Sequence, residues 1–255
     1  MSGHPSTETL PLTRPHRMEV LRVALDMRLS RWELVALRGA ISAIAGPEHI
    51  LFTNHLPEGG YRFAYPLIQY RFMGRHPGLI CLGEGIEEVQ AFFNNMGPTL
   101  NINGEERPVK VHHTWFRRWP FQIWPQRQFR YRIRRWLPFN QDTFPDYQQA
   151  LSDQERLQLL SSILRGHILA MAKGIGWNID RTLEANVTRF REMGLVRYKH
   201  HIRHVSLEAE FTTNASLPYA IGLGKGVSKG FGGIIPLYSR HSSPTNGNEA
   251  SGHAE

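Results

Sequence analysis

Along this 255-residue chain, strand-like and helix-like hydrophobic periods follow one another in the same order twice, and that order restricts the fold more than any composition figure does. From Met18 to Leu29 apolar and polar residues alternate as in a half-buried strand. Ser30, with Glu33 three positions on, then signals a helix start. That helix runs to about Ala45, where Gly46 and Pro47 end it, and two extended pieces follow at 49–55 and 61–72. The segment GLICLGEG resumes as a strand. Glu84 to Met96 carries Ile86, Val89, Phe92 and Phe93 at helical spacing, and Arg107 to Phe116 reads as a returning strand. The order β-α-β-β-α-β is that of a ferredoxin-like domain.

The second half repeats the plan. Gln126 to Leu137 is extended, and Ser152 with Glu155 caps a long helix through about Ala172, with Leu157, Leu160, Leu164 and Ile168 on one face. Arg181–Arg191 and Gly194–Thr213 read as a hairpin turned at Glu192 to Gly194. A short helical turn near Leu217–Ala220 follows, and GGIIPLY is the last strand. The expected fold is therefore α+β, two tandem ferredoxin-like (RRM-like, βαββαβ) domains at 17–120 and 121–238. A polar N-terminus, 1–16, and a Ser/Gly/Asn-rich tail, 239–255, are expected to be disordered. A competing parse makes 154–172 and REMGLVRY a winged-helix module; Val187 and Phe190 give poor support for its recognition helix.

A formal charge of +8 favours a polyanionic partner, since neutralised phosphates release counterions. No apolar run has the length of a membrane span, no membrane partner is expected, and the polar first residues lack the apolar centre of a signal peptide. The single cysteine, Cys81, cannot form an internal bridge and lies in an apolar run, so it is expected to pack as a small hydrophobe in a cytoplasmic protein. No cofactor is implied, and one cysteine with scattered acids gives no metal-ligand spacing.

Two stretches carry the chemistry. In IGLGKGVSKGFGGIIPL, from Ile221 to Leu237, Gly222, Gly224, Gly226 and Gly230 interleave with Lys225, Ser228 and Lys229. A run so poor in Cβ atoms lets backbone N–H groups converge on an anion, and it reads as a phosphate cradle, although neither G-x-x-x-x-G-K-[ST] nor a strand–glycine–helix unit fits it. From Lys110 to Trp136 eight cations alternate with eight aromatics and there is no acid. Cations for a backbone and rings for unstacked bases are the means of single-stranded RNA recognition. On a strand, Phe129, Tyr131 and Ile133 face one way and Arg130, Arg132 and Arg134 the other. The arginines are thus the expected RNA rail and the aromatics the expected core. Arg197, Lys199, His201 and Arg203 make a second alternating basic row.

The string LPYAIGLGKGVSKGFGGI resembles the C-terminal glycine-rich signature of the CRISPR-associated repeat-RNA endoribonucleases of the RAMP superfamily, and NHLPEGGYRFAYPLIQYRF resembles the N-terminal region of their b branch. The resemblance implies metal-independent cleavage within CRISPR repeats: the 2′-hydroxyl attacks the adjacent phosphate, leaving a 2′,3′-cyclic phosphate and a 5′-hydroxyl and releasing guide RNAs. Its partners would be precursor and product CRISPR repeat RNA, with CRISPR effector proteins and a homodimer as further candidates. Such chemistry asks for a base, an acid and charge stabilisation at the phosphorane. His55 is the expected base. The branch carries two histidines around an asparagine, and here Thr53 replaces the first, which leaves open whether His49 assists. Tyr61 and Tyr65 are the expected companions by position. No lysine precedes Lys110, so Arg62, Arg71 or Lys225 would supply the charge. His112 and His113 are outside candidates, and His167, between Leu164 and Ile168, is expected in the core. Other readings are a non-catalytic RNA-binding subunit of a CRISPR effector and a winged-helix DNA regulator.

Overall fold

A computed structural model describes residues 14–52, 64–199 and 202–238. The first half contains β1 (His16–Asp26), α1 (Leu34–Ala45), β2 (Ile68–Met73), β3 (His76–Leu82), α2 (Glu84–Asn95), a small hairpin of β4 (Thr99–Ile102) and β5 (Glu105–Pro108), and β6 (Lys110–Phe121). Its sheet has the order β2-β3-β1-β6 and every pair is antiparallel. The second half contains β7 (Phe129–Trp136), α3 (Thr143–Gln149), α4 (Asp153–Gly174), β8 (Ala185–Lys199), β9 (Ile202–Thr213) and β10 (Gly233–Pro236), in the sheet order β10-β7-β9-β8. Each sheet places its last strand beside its first and its third beside its second. This is the ferredoxin-like arrangement in both halves, as the repeated element order implies.

Local chemistry explains the helices. The Ser30 N–H donates to Glu33 Oε2 at 2.8 Å ahead of α1, and the Gly46 N–H closes its other end on Ser42 O at 3.1 Å. Leu34, Leu37, Ile41 and Ala45 form its buried stripe. That stripe meets Ile86, Val89 and Phe92 of α2 and the strand residues Leu25, Ile68, Leu79 and Cys81 in the core. Burying each of the larger side chains contributes roughly 1.5–3 kcal/mol. Ser152 caps α4 by accepting from the Glu155 N–H at 3.2 Å, while the Glu155 carboxylate accepts from the Leu151 N–H at 2.8 Å. Cys81 is buried, and burial pushes its thiol well above the usual range. Among the described residues no helix is long and apolar enough to cross a membrane.

Four local expectations fail. Residues 50–52 form a 3-10 turn instead of an extended piece, with 53–55 outside the described residues. The strand expected over 61–72 begins only at Ile68, because Pro66 cannot donate to a ladder; 61–63 are not among the described residues. The returning strand is split between β5 and β6, which a turn-forming Asn103-Gly104 pair and its extra hairpin account for. Gly194 is not a hairpin turn. At φ +87° it sits in a bulge between Glu192 and Leu195, so β8 continues to Lys199. The winged-helix parse fails with it, since 185–199 is one strand. The termini expected to be disordered fall outside the described residues, except that His16 already belongs to β1.

Candidate nucleic-acid interface

Among the described residues, no α-helix lies between β9 and β10 of the second ferredoxin-like unit; residues 214–232, with a 3-10 turn at Val227–Lys229, stand there and pack on β2 of the first unit. Arg71 of β2 organises the contact. Only 4 % exposed, it donates from Nη1 to Phe231 O at 3.1 Å and from Nη2 to Gln69 Oε1 at 3.0 Å and Val227 O at 3.3 Å. Burial lowers the guanidinium pKa to about 10, still far above neutrality, so the charge stays. Gln69 in turn accepts from the Gly222 N–H at 3.0 Å. Tyr65 donates from its hydroxyl to Gly222 O at 2.7 Å and accepts from Gln69 Nε2 at 3.0 Å.

These bonds change the meaning of the glycines. A methyl group on Gly222 would collide with the Arg71 guanidinium, so this position is small to admit an arginine. Gly222 is buried against Arg71. Gly224, Gly226 and Gly230 have φ of +92°, +68° and +87° and meet Trp136, Phe231 and Leu34 respectively. The N–H groups of Leu223, Lys225, Lys229, Gly230, Phe231 and Gly232 all donate to protein carbonyls. The cradle of convergent N–H groups expected from the sequence does not form over these positions, because the backbone satisfies itself.

What the stretch offers to solvent is its side chains. Lys225, Ser228 and Lys229 are each partly exposed. Burial lowers the Lys225 pKa, and Lys225 lowers that of His167 and His204 after burial has done most of it. Lys229 Nζ lies 4.7 Å over the Tyr198 ring and donates to Tyr198 O at 3.4 Å, which ties the stretch to β8. Arg38 of α1 donates from Nε to Phe52 O at 3.1 Å and reaches Ser228 Oγ from Nη1 at 3.5 Å.

The expected arginine rail is only partly available. Tyr131 and Ile133 are buried and Phe129 is partly so, as the alternation requires. On the other face Arg132 pairs with Glu210 at 2.6 Å and Arg134 with Glu208 at 3.7 Å, because β9 brings its acids into register beside them. Arg130 is exposed. The second basic row is not on one strand: Arg197 of β8 stands directly opposite Arg203 of β9, and His201 lies outside the described residues. Like charges facing each other across a pair destabilise it, and a bound phosphate relieves that repulsion.

His55 and Tyr61 lie outside the described residues, as does Arg62. Tyr65 is described: its hydroxyl proton lies on Gly222 O and burial raises its pKa far above the usual phenol value, so it ties the stretch to the first domain. His49 is bound through Nδ1 to Glu88 Oε2 at 2.5 Å, beside a cavity lined by Glu84, Glu87 and Glu88 that repels phosphate. His112 stacks on His76 at 3.9 Å, with His113 beside it, in a cavity that Tyr219 of the second domain also lines. His167 is in the core as expected, accepting from Trp136 Nε1 at 3.2 Å, and burial lowers its pKa to about 4. Sequence reading missed Arg38, Gln69, Tyr198 and His204. A lone arginine in the apolar strand IQYRFM, ahead of so many glycines, was the one available signal for the Arg71 contact.

Comparison with known proteins follows this division. The chain is 31% identical over 100 residues to an uncharacterized protein of Methanocaldococcus jannaschii, a match covering 39% of this chain and 66% of that one. A solved structure described as Cas6b superposes with a TM-score of 0.75 at 24% identity, covering 87% of this chain and all of that one. A second, described as the CRISPR RNA processing endoribonuclease Cas6b, gives 0.67 at 22% with the same coverage. The Cas6b N-terminal domain model matches residues 16–117 and the Cas6b C-terminal domain model residues 123–237, each over one of the two sheets, so the chain belongs to the Cas6b family.

Proposed function

We propose that this protein is a metal-independent endoribonuclease that cuts CRISPR repeat RNA by attack of a 2′-hydroxyl on the adjacent phosphate, with His55 as the base. The observation that carries the reading is that described residues on either side of His55 in the sequence are both held to the glycine-rich stretch. On the N-terminal side, Phe52 shares Arg38 with Ser228; on the C-terminal side, Tyr65 bonds to Gly222. Both anchors therefore belong to the glycine-rich stretch, whose lysines supply the charge a phosphorane needs. Family membership and the partly exposed Lys225 and Lys229 support the same reading. His55 accepts the 2′-hydroxyl proton, the 2′-oxygen attacks phosphorus, and the P–O5′ bond breaks as the 5′-oxygen takes a proton from solvent water, giving a cyclic phosphate and a 5′-hydroxyl. DNA lacks the attacking group.

The test is incubation with repeat RNA in EDTA, beside the same RNA carrying one 2′-deoxy substitution at the cut. Cleavage of the first alone is expected, and His55→Ala should reduce it by about 10²- to 10⁴-fold with binding retained. Tight binding of both RNAs without cleavage of either would instead identify a non-catalytic RNA-binding subunit.

A further inference from the structure

A second group of cations lies in the seam between the two sheets, and the cleavage reading makes no use of it. A cavity of about 170 Å³ is lined among others by Arg31, Arg71, Arg134, Arg135, Tyr219 and Gly230, so both domains contribute walls. No carboxylate is in its lining. Glu33, two residues from Arg31, pairs with Arg107 at 2.8 Å and accepts from Ser30 N–H, while Glu208 partners one lining residue, Arg134, at 3.7 Å and also Arg191 at 3.9 Å.

Three features show that the cluster is built by the fold. Arg135 is a non-glycine residue at φ +49°, where β7 loses register with β9 between Ile133 and Trp136. That left-handed backbone, held by the Gly232 N–H on Arg135 O at 3.1 Å, turns Arg135 out of the strand alternation. Its guanidinium then lies 4.4 Å over Phe231 and 5.8 Å over Trp32, one ring from each domain. Arg31 sits 5.3 Å over Phe72. Behind them Arg71 Nε is buried without a hydrogen-bond partner among the described residues. The cations also act on one another: burial and then Arg31 lower the pKa of Arg135, and Arg135 contributes to the lowering at Arg71. Two of these cations, Arg71 and Arg135, are drawn out of water by burial, and like charges placed so with no carboxylate among the described lining residues call for an anion.

We propose that the seam pocket seats one phosphodiester of the bound RNA, gripped by Arg31 from the first domain and Arg135 from the second, with Arg71 as fixed positive charge behind it. The cavity limits the occupant to a phosphate group and its immediate sugar atoms. Two guanidinium forks on one phosphate suit the planar, bidentate donors that arginine presents. The identity of the polyanion rests on the RNA reading above; the placement of its phosphate does not. An RNA held there draws on both domains at once.

The experiment measures binding of a repeat RNA by the full chain across a salt series, for wild type, Arg31→Gln, Arg135→Gly and the double variant. Arg31 is exposed, and glycine accepts the left-handed backbone at 135, so both variants should melt near wild type. The slope of log K against log salt should fall by about 0.7 in the double variant, the value for one single-strand phosphate. Because both groups hold the same phosphate, each single change should already remove most of that. An unchanged slope in a folded double variant overturns the proposal, as does an unchanged slope in Arg31→Gln should the Arg135 variants fail to fold. Inorganic phosphate separates the sources. If it raises the melting temperature of wild type alone while the RNA slopes coincide, the pocket takes a free anion and the RNA assignment falls. Cleavage assayed in parallel keeps the two readings apart: reduced slopes without any cleavage sustain the seat and remove the enzyme, and cleavage with unmoved slopes does the reverse.

Discussion

Arg71 keeps a full positive charge beneath the surface without a carboxylate, by giving its hydrogens to two carbonyls of the glycine-rich stretch and to Gln69. Replacing it by methionine strands those acceptors, so Arg71→Met should lower stability by about 2–4 kcal/mol in urea unfolding. Arg71→Lys should recover little, since a point ammonium cannot match the fork. Tyr65 gives a sharper discrimination. As a holding residue it contributes two hydrogen bonds, and Tyr65→Phe should cost about 1–3 kcal/mol with turnover within a few-fold of wild type. Loss of turnover by 10²-fold or more, a loss of the size expected of a general acid, would return it to the chemistry. His167 sets a pH limit. Its folded pKa of about 4 lies below the ordinary 6.5, so the unfolded chain takes the proton first as pH falls. The stabilisation is complete above pH 6.5 and drains away toward pH 4, by up to about 3 kcal/mol. His167→Gln, which keeps an acceptor for Trp136, should flatten that acid limb of the stability profile. At this scale the sequence marked the right residues with the wrong work. Gly222 looks like a phosphate contact because a missing side chain is silent about whether an anion or an arginine fills the space.

Between residues and domains, the glycine-rich stretch stands where a ferredoxin-like unit carries its second helix, and it packs by backbone more than by side chain. Lys225 and Lys229 remain its outward cations. Lys225→Ala with Lys229→Ala should weaken RNA binding and reduce the salt slope by about 0.7 for each phosphate lost. An unmoved slope would place the RNA elsewhere. α4 illustrates what local signals do well: Ser152 was legible as a cap and the structure uses it so, and Ser152→Ala should cost about 1 kcal/mol in thermal unfolding. The β8–β9 hairpin illustrates their limit. Gly194 has the composition of a turn, but cross-strand pairing on both sides of it made a bulge the better use of its left-handed φ. Arg132 and Arg134 were similarly legible as an outward row, while their neutralisation by Glu210 and Glu208 depends on which strand lies alongside.

The two domains meet through polar contacts that only the assembled molecule makes: Arg71 and Tyr65 on the stretch, Trp119 Nε1 on Ser216 O at 3.4 Å, Arg22 over Tyr219 at 5.1 Å. So many buried donors and acceptors matched across one seam should make the halves unfold together. Calorimetry of wild type is expected to show a single transition, and Arg71→Met to split or broaden it. Two separate transitions in wild type would show the seam to be weak. By itself, the sequence determined α1, α2 and α4, though not the short α3, together with most strands and the doubled order of elements, because hydrophobic period, caps and turn residues act within a few positions of one another. The tertiary structure alone decided that the glycines make room for Arg71, that two of three outward arginines are paired, and that Arg31 and Arg135 face one cavity. Those outcomes depend on groups 74 to 160 residues apart being brought together, and nothing in the local pattern of either partner records the other.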